Sequence, residues 1–483
     1  MRGCLKRRLV VLSACALTTV LGLAGAADAS PPPPGSVSFS TPTQFPKFRP
    51  GIYDYVVRCN DGPVTVSGHA AGGWRLAVGN QTFHGGDFSQ NVALRAGKAF
   101  TAIAKSGPSL YRYHVRCLPD GFPDYTFTHD GPASPKLFSV DEAFVPAPSK
   151  RYSMVFNRHG VPVWWRRAPA WDSRVLPNGS LLWWNASALV FQTHDLEGGL
   201  LVNGMNTVGQ QANPHDIQFT GGGDYLAGAY VTQGGVDTSA YGGASDASVS
   251  NAELQEVSSD GQLLWDWKSQ DHISLSETGH RWPWVIHHSG LGGYDVVHWN
   301  SIEDDGNSVI ASFRNLDAVY KINKQTGDIV WKLGGTHTPQ SLDVKGDPRG
   351  ATLGAQHDAR LLPDGTLTVF DNRTNLQDHQ PRAERFRINE STGTATLIES
   401  IADPEISGSN CCGSARRLGS GDWLIDWGQN RPIGGYRPSG KRTFLLTLDS
   451  TFSYRAEPVP SGAVSIQDLR QAMDAISAQS HSS

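Results

Sequence analysis

The chain has no excess of positive charge, since 41 Lys and Arg residues stand against 45 Asp and Glu residues in a total of 483. The formal net charge of −4 disfavours nucleic-acid binding that depends on bulk electrostatic attraction. The chain also lacks a glycine-rich phosphate loop with a following lysine, the usual signature of a P-loop nucleotide site. Beyond residue 30 it has no apolar run long enough to span a bilayer. We therefore expect no nucleic-acid partner and no membrane span in the mature protein.

The first residues are typical of an export signal. Basic residues at positions 2–8 precede the apolar stretch Leu9–Ala24, and Ala27-Asp28-Ala29 offers a small-x-small cleavage site. We predict a signal peptide over residues 1–29 and a secreted or extracytoplasmic mature protein. A lipoprotein signal ending at Cys15 is the alternative, although Cys15 would interrupt the apolar stretch.

Cysteine is scarce, with 6 residues in the chain, and two of these leave with the predicted signal. An exported protein meets an oxidising compartment, which favours disulfides. Cys59 and Cys117 end two matching segments, Tyr53–Cys59 and Tyr111–Cys117, in which strand alternation places each cysteine on the face of its Tyr and Val neighbours. We predict that these two cysteines pair. In the adjacent pair Cys411-Cys412 a bridge would close a strained ring, so a bridge, two thiols and a redox pair all stay open.

Helical periodicity is nearly absent, and the sequence predicts an all-β protein. Short aromatic and β-branched runs alternate with Gly, Asn and Asp turns. After a Pro-rich leader at 30–44, this pattern predicts a small N-terminal β-sandwich domain over 45–130. A β-propeller of repeated strand elements follows over 135–462. Apolar residues then recur at helical spacing, which predicts a short helix and tail over 463–483.

Two kinds of element alternate in the predicted propeller. In the first, a strand, a Gly turn and a second strand end in tryptophan, at Trp164, Trp265 and Trp331. In the second, two strands flank a Gly turn, and these turns contain Gly179, Gly223, Gly306, Gly365 and Gly421. One element of each kind supplies about four strands, the content of one blade. The number of such pairs gives five to six blades, and we predict six.

Polar residues recur at equivalent places in the second kind of element. His215 and His357 open two of these elements, and His298 and Asn300 lead a third. If the strands run radially in adjacent blades, their starts meet near the central axis. A hairpin at the intervening glycine would return Arg314 to the side of His298 and Asn300. The sequence therefore predicts one axial site with three imidazoles, an amide and a guanidinium.

This combination suits a tetrahedral oxyanion, because guanidinium and imidazole N–H groups donate well to sulfate or phosphate ester oxygens. A histidine that is neutral near pH 7 is also a competent nitrogen nucleophile. Zinc is the rival interpretation, since three histidines can form a catalytic metal site. An arginine beside a dication is unfavourable, however, unless an anionic ligand bridges the two.

At these residues the sequence resembles the secreted aryl sulfotransferases that use no nucleotide sulfate donor. The resemblance covers roughly Met154–Glu457 and is most specific in His215–Gln218 with its following turn, His298–Gly335 and Gln356–Asn372. It implies a six-bladed propeller with a small N-terminal β-domain. It also implies transfer of a sulfuryl group from a phenolic sulfate to an acceptor phenol through a sulfated histidine, without cofactor or metal.

The resemblance assigns roles to the candidate residues. His357 would be the nucleophile, and His298 the acid toward the leaving phenolate and the base toward the acceptor phenol. The residues predicted to bind the sulfuryl oxygens are His215, Asn300, Arg314 and Ser414, the last of which the resemblance places only loosely. The implied partners are a small phenolic sulfate donor and a phenol acceptor. The sequence leaves the natural phenols and the oligomeric state open.

Two other functions stay open. Lys324–Trp331 resembles the Trp-containing repeat of quinone-dependent dehydrogenase propellers, in which adjacent cysteines also occur. The other alternative is a secreted propeller that binds a partner or glycan without catalysis. Trp282, Trp284 and Trp299 fall outside the Trp repeat, and one or two of them are candidates for stacking on an aryl substrate.

Overall fold

A computed structural model describes residues 31–79, 81–143, 147, 150–290, 292–350 and 352–479 of the chain. The predicted signal peptide lies outside these residues. Within them the fold consists mostly of strands, with two α-helices, α1 (Trp282–His287) and α2 (Ile466–Gln479). The all-β prediction is therefore confirmed. No helix among the described residues is long and apolar enough to cross a membrane.

The N-terminal region forms two sheets on a common core. Its strands are β1 (Val37–Ser40), β2 (Asp54–Arg58), β3 (Pro63–Ala70), β4 (Arg75–Val78), β5 (Gly86–Ala93), β6 (Ala99–Ser106) and β7 (Ser109–Leu118). The sheet orders are β1-β3-β5 and β2-β7-β6-β4. Along β3 buried and partly or fully exposed residues alternate, as expected of a strand with one face on a core. Val66, Tyr113 and Val115 belong to that core.

Cys59 and Cys117 form a disulfide in this region, as predicted. The bridge follows from strand pairing, because β2 and β7 are parallel neighbours in which Val57 pairs with Cys117. The matching segments found in the sequence therefore lie side by side. Such a bridge is typical of proteins that fold in an oxidising compartment.

The remainder of the chain forms six further sheets of four or five strands. The strands up to residue 236 are β8 (Tyr125–His129), β9 (Leu137–Asp141), β10 (Tyr152–Asn157), β11 (Pro162–Arg167), β12 (Ala170–Val175), β13 (Leu181–Asn185), β14 (Val190–His194), β15 (Leu200–Met205), β16 (Ala212–Gly221) and β17 (Asp224–Val236). Those up to residue 345 are β18 (Ala247–Val257), β19 (Leu263–Lys268), β20 (Tyr294–Asp295), β21 (Trp299–Asp305), β22 (Ser308–Phe313), β23 (Ala318–Asn323), β24 (Ile329–Gly334) and β25 (Asp343–Lys345). The last are β26 (His357–Leu361), β27 (Thr366–Asp371), β28 (Arg382–Asn389), β29 (Thr394–Ile401), β30 (Ser414–Arg417), β31 (Trp423–Asp426), β32 (Pro432–Tyr436), β33 (Arg442–Leu448) and β34 (Glu457–Pro458).

Five of these sheets are built around four antiparallel strands that are consecutive in the chain, whereas the sheet of β9, β10 and β11 has β34 as its fourth strand. The sheet orders are β11-β10-β9-β34, β12-β13-β14-β15, β16-β17-β18-β19 with β20 on β18, β21-β22-β23-β24, β25-β29-β28-β27-β26 and β30-β31-β32-β33-β8. We call the first of the consecutive antiparallel strands in each sheet its first strand. These first strands contact one another in the order β9, β12, β16, β21, β26 and β30. β30 in turn contacts β34, which pairs with β9.

A repeated side-chain contact joins these first strands. In each case an Asp or Ser oxygen accepts the backbone N–H of the next strand or of the segment leading into it. The pairs are Asp141 with Ser173, Asp216 with Ile302, Ser301 with Ala359, Asp358 with Ala415 and Ser414 with Ala456, at 3.0 to 3.2 Å. A different contact joins β12 to β16, where the Arg174 guanidinium donates to the Ile217 carbonyl.

Buried charges surround these links. Asp216 lies 3.5 Å from Arg174, 2.7 Å from Arg360 and 3.3 Å from Arg455. Burial alone would raise the pKa of the Asp216 carboxyl, but the three guanidiniums hold this pKa below its ordinary value. The carboxylate is therefore charged and fully paired, which a buried ion requires.

Two strands near the start of the chain pair with strands that lie outside the predicted range containing them. β8 falls within the range expected for the N-terminal domain, yet it pairs with β33 of the last sheet, with His129 opposite Phe444. β1 falls within the predicted leader and pairs with β3. α2 packs on β11, where the backbone N–H of Trp165 donates to the Met473 sulfur at 3.3 Å.

Candidate active site

The predicted site residues occupy one repeated position in the fold. His215, Asn300 and His357 each stand directly before the residue that links their strand to its neighbour. His298 lies two residues before Asn300. His357 and Asn300 are buried, whereas His215 is half-buried and the His298 side chain is 22% exposed. The structure therefore combines a buried pair with a pair that is accessible to solvent.

Direct contacts bring these side chains together. The ring centroids of His215 and His298 are 5.1 Å apart. The Asn300 side-chain amide donates to the Gln356 carbonyl at 2.7 Å, which ties it to the residue before His357. As the sequence predicts, β21 and β22 form a hairpin, and the Arg314 backbone N–H donates to the His298 carbonyl at 2.8 Å.

The Arg314 guanidinium is buried and held in place from two sides. It donates to the Asn315 side-chain oxygen at 2.8 Å and to the Asn410 carbonyl at 3.1 Å. Its carbon lies 4.6 Å from the ring centroid of Trp284, in cation–π geometry. Two of its five N–H groups are used by these contacts. The aromatic contact places Trp284, which α1 carries, at this site. Trp299 also lies nearby, with its ring centroid 6.3 Å from that of His215.

The hydrogen bonds around His357 fix its tautomer. Nδ1 lies 2.8 Å from the Asn372 side-chain oxygen and 2.9 Å from the Ala355 carbonyl. The Asn372 amide nitrogen donates to Ser409 and Cys412, so its oxygen faces the histidine. Because both Nδ1 partners are acceptors, the proton is on Nδ1. Nε2 therefore carries the lone pair, and it accepts the Cys412 N–H at 3.2 Å.

Burial and positive charge keep His357 neutral. Burial lowers the pKa of this imidazole well below its ordinary value, and the charge of Arg314 lowers it further. The pKa of His215 is lowered in the same way, by burial first and then by His298 and His357. A neutral imidazole in a buried position retains a nucleophilic nitrogen over the physiological pH range.

His298 has a different kind of partner. Its Nδ1 lies 2.5 Å from one carboxylate oxygen of Asp295, and its backbone N–H donates to the other oxygen at 3.0 Å. The backbone of His298 is left-handed, with φ of 50°, which few non-glycine residues adopt. Sequence reasoning missed Asp295, although its position three residues before His298 was visible in the sequence.

Two tyrosines complete the surroundings of His215. The ring centroids of Tyr230 and Tyr454 lie 6.2 and 5.6 Å from that of His215. Tyr454 is buried, and its hydroxyl has no hydrogen-bond partner among the described residues. Sequence reasoning missed both tyrosines, as well as Asn372, because none of them stands at the repeated position that His215, Asn300 and His357 occupy.

Ser414, which the sequence places among the sulfuryl-binding residues, contacts a neighbouring segment of the fold. Its hydroxyl donates to the Ala456 carbonyl at 3.0 Å and accepts the Ala456 N–H at 3.2 Å. Its single proton is therefore used within the protein. Ser414 corresponds to Ser301 and Asp358 as a link between neighbouring sheets, and the residue equivalent to the histidines is Gly413.

The adjacent cysteines are two thiols in this structure. Their sulfur atoms are 2.7 Å apart in a hydrogen bond from Cys412 to Cys411. That hydrogen bond, followed by the charge of Arg314, lowers the pKa of the Cys411 thiol despite its burial. Burial raises the pKa of Cys412 well above its ordinary value. Across the described residues, no group of three or more His, Cys, Asp or Glu side chains is arranged to hold a metal ion.

Comparisons with known proteins give one strong match. The family model described as arylsulfotransferase (ASST) matches residues 185–447, more than half of the chain. No curated protein sequence matches the chain significantly.

Similar solved structures include a protein of unknown function from Bacteroides caccae (13% identity, 68% of this chain, 100% of that chain, TM-score 0.41). A calcium-binding protein, regucalcin, from Agrobacterium tumefaciens is also similar (13% identity, 56% of this chain, 72% of that chain, TM-score 0.31). A third is an inactive virginiamycin B lyase from Staphylococcus aureus with quinupristin (9% identity, 68% of this chain, 100% of that chain, TM-score 0.32). These TM-scores are too low to support an inference about the function of this chain.

Proposed function

Because the chain belongs to the arylsulfotransferase family, we propose that it transfers a sulfuryl group from a phenolic sulfate ester to an acceptor phenol through a sulfohistidine at His357. No nucleotide sulfate donor takes part. The observation that carries the proposal is the tautomer of His357, whose proton is held on Nδ1 by Asn372 and Ala355 while Nε2 carries a lone pair. The depressed pKa keeps that nitrogen unprotonated.

In the first half-reaction, Nε2 of His357 attacks sulfur, and the bond between sulfur and the phenolic oxygen breaks. The oxygen leaves with the electron pair and needs a proton, because a phenol has a pKa near 10. His298 gives that proton. In the second half-reaction, His298 takes the proton of the acceptor phenol, whose oxygen attacks sulfur while the bond between sulfur and Nε2 breaks. The enzyme is then restored.

Fixed donors stabilise the charge that develops on the sulfuryl oxygens. Arg314 is held by Asn315 and Asn410 in one geometry, so little reorganisation is needed when charge moves. His215 and Asn300 stand at the positions equivalent to His357 and are proposed as further sulfuryl-binding residues. Trp284, beside the Arg314 guanidinium, is the proposed wall for the aryl group. Ser414 is left out of this set because Ala456 uses its hydroxyl proton.

The proposal includes the wider architecture. Six sheets of four or more strands, the contacts between their first strands and the pairing of β34 with β9 support a closed six-bladed propeller over about 135–462. The two-sheet core and disulfide of the N-terminal region support a separate small β-sandwich domain. The disulfide also supports export through the signal peptide proposed at 1–29.

The test is covalent labelling of the purified protein. A short incubation with 4-nitrophenyl sulfate and no acceptor is followed by peptide mass spectrometry under conditions that preserve the labile N–S bond. We expect one added sulfuryl group on the peptide with His357, and its loss when a phenol is then added. The variant His357→Ala should take up none. His69→Ala is the matched control, since His69 lies in the N-terminal sheet and pairs with Asp87.

Three outcomes separate the functions. A label on another residue, or full phenol sulfation by His357→Ala, would contradict the assignment of the nucleophile. A protein that takes up no sulfuryl group and transfers none would instead be the binding propeller considered above. Reduction of a dye by a preparation with a bound quinone would favour the dehydrogenase.

A further inference from the structure

His298 and His357 differ in the chemical group that faces Nδ1. Nδ1 of His298 faces the Asp295 carboxylate, whereas Nδ1 of His357 faces the Asn372 amide oxygen and a backbone carbonyl. A carboxylate favours the protonated form of an imidazole that it contacts, whereas a neutral acceptor orients the ring without stabilising a full positive charge. The partners therefore suit the two rings to different tasks.

Asp295 is itself rigidly held. Both of its carboxylate oxygens accept from His298, one from the backbone N–H and the other from Nδ1. Its backbone carbonyl accepts the side-chain amide of Asn315 at 2.6 Å. Asn315 also accepts from the Arg314 guanidinium at 2.8 Å. One connected set of hydrogen bonds thus fixes the carboxylate, the His298 ring and the guanidinium relative to one another.

We infer that Asp295 is the positioning residue that makes His298 the proton-transferring group of the site. Nothing in the sequence motifs assigns this residue a role. The inference rests on the proposed sulfuryl transfer and deepens it. Asp295 keeps the Nδ1 proton on His298, directs Nε2 toward the phenolic oxygen and stabilises the imidazolium form. Asp295 stays ionised throughout, and only the Nε2 proton moves.

Before the first transfer His298 is an imidazolium, and it loses its Nε2 proton to the departing phenolic oxygen as the sulfur–oxygen bond breaks. It is then neutral and takes a proton from the acceptor phenol in the second transfer. The other charged or titratable groups around it are Arg314, His215, Tyr230 and His357. Asp295 is the anionic group among these contacts, so its removal leaves a positive His298 without compensation.

The test compares Asp295→Asn with the parent protein over a series of aryl sulfates whose leaving phenols range from strongly acidic to unsubstituted. The measured quantity is the rate of His357 sulfation in a single turnover. A nitrophenolate needs little protonation, and we expect its departure to be nearly unaffected. An unsubstituted phenol needs the acid, and its departure should slow by about 10²-fold. The parent and variant should therefore differ in the dependence of rate on leaving-group pKa, with similar KM values.

Asp305→Asn is the control, because Asp305 pairs with Lys321 away from the site. This variant should match the parent for every substrate. An equal loss for all leaving groups in Asp295→Asn would indicate a merely structural role and overturn the inference. An unchanged rate with unsubstituted phenyl sulfate would also overturn it.

A second readout does not depend on turnover. In protein labelled with ¹⁵N-histidine, two-bond ¹H–¹⁵N spectra should show His298 protonated on Nδ1 in the parent. Its tautomer should change in Asp295→Asn. If the parent fails to sulfate His357, the proposed function fails, and this spectrum alone decides the positioning role. An identical His298 spectrum in both proteins would overturn it.

Discussion

The backbone N–H of Cys412 donates to Nε2 of His357 at 3.2 Å, so it occupies the lone pair proposed to attack sulfur. Nucleophilic attack requires that this hydrogen bond be released. The segment that carries it is unusual, because Cys412 and Gly413 both have positive φ, of 65° and 100°. The free protein therefore holds its proposed nucleophile in a protected form.

Sulfation of His357 should consequently expose the Cys412 amide. We expect hydrogen exchange in a peptide covering residues 409–413 to be slow in the free protein and faster in the sulfated form. Mass spectrometry of exchange after addition of an arylsulfate without acceptor measures this difference. Peptides from β6 serve as the internal reference and should not change. Equal or slower exchange at 409–413 after sulfation would show that this hydrogen bond survives the reaction.

Arg314→Lys should impair transfer although it keeps the charge. A lysine offers a single ammonium and cannot reproduce both the contact to Asn315 and the contact to Asn410. Loss of one fixed donor to a developing oxyanion costs about 10²-fold in kcat. Steady-state transfer from 4-nitrophenyl sulfate to phenol measures the loss, with the exposed Arg112→Lys in β7 as control. Parental turnover in Arg314→Lys would remove Arg314 from the site.

The sequence was informative where a feature repeats. His215, Asn300 and His357 stand at the same place in successive sheets, and a period in the sequence becomes a position in space when the sheets contact through their first strands. The same repeat explains the contact of Ser414 with Ala456, which corresponds to that of Ser301 with Ala359.

The residues that the sequence did not reveal lie outside the repeat. Asn372 and Tyr454 lie outside the strands, and Asp295 lies in β20, a strand of two residues that is too short to show alternation. The same limit applies to β8, because the pairing of His129 with Phe444 joins residues that are far apart in the sequence. Local patterns predict strands, but long-range pairing depends on the closing of the whole architecture.

Acid should destabilise the parent protein more than His357→Gln. The folded pKa of His357 is lowered by burial, so the unfolded chain binds a proton near its ordinary pKa of about 6.5 while the folded chain does not. The contribution of this group to stability is present above that pH and is lost as the pH falls toward the folded pKa. Thermal unfolding at pH 7.5 and pH 5 measures the effect. Burial raises the pKa of Glu142 to about 7, so this group changes stability with pH in the opposite sense. Because Glu142 is present in both proteins, its effect cancels when their stabilities are subtracted. An identical decline in both proteins would contradict the depressed pKa.

Cys411 should react with iodoacetamide before Cys412 in protein kept under reducing conditions. The Cys411 thiol is half-buried and has a lowered pKa, whereas Cys412 is buried and its pKa is raised. Reactivity follows the thiolate and its exposure. Peptide mass spectrometry after brief alkylation locates the label. Modification of Cys412 first, or no free thiol in the reduced protein, would contradict the assignment.

Removing the Asp216 carboxylate should strongly destabilise the fold without any loss of apolar packing. Asp216 accepts the Ile302 N–H and pairs with Arg174, Arg360 and Arg455. The variant Asp216→Ala leaves these buried guanidiniums without this counter-charge, which typically costs about 3–5 kcal/mol in the free energy of unfolding. Denaturant unfolding monitored by tryptophan fluorescence measures the change.

The isosteric variant Asp216→Asn separates the charge from the hydrogen bond. Its side-chain oxygen still accepts the Ile302 N–H, so any destabilisation comes from the lost charge beside three arginines. The half-buried pair of Asp305 with Lys321 offers the comparison. Asp305→Asn should cost no more than about 1 kcal/mol, because Lys321 keeps a second carboxylate partner in Glu390. If Asp216→Asn were as harmless as Asp305→Asn, the hydrogen bonds between first strands, rather than the buried charges, would hold neighbouring sheets together.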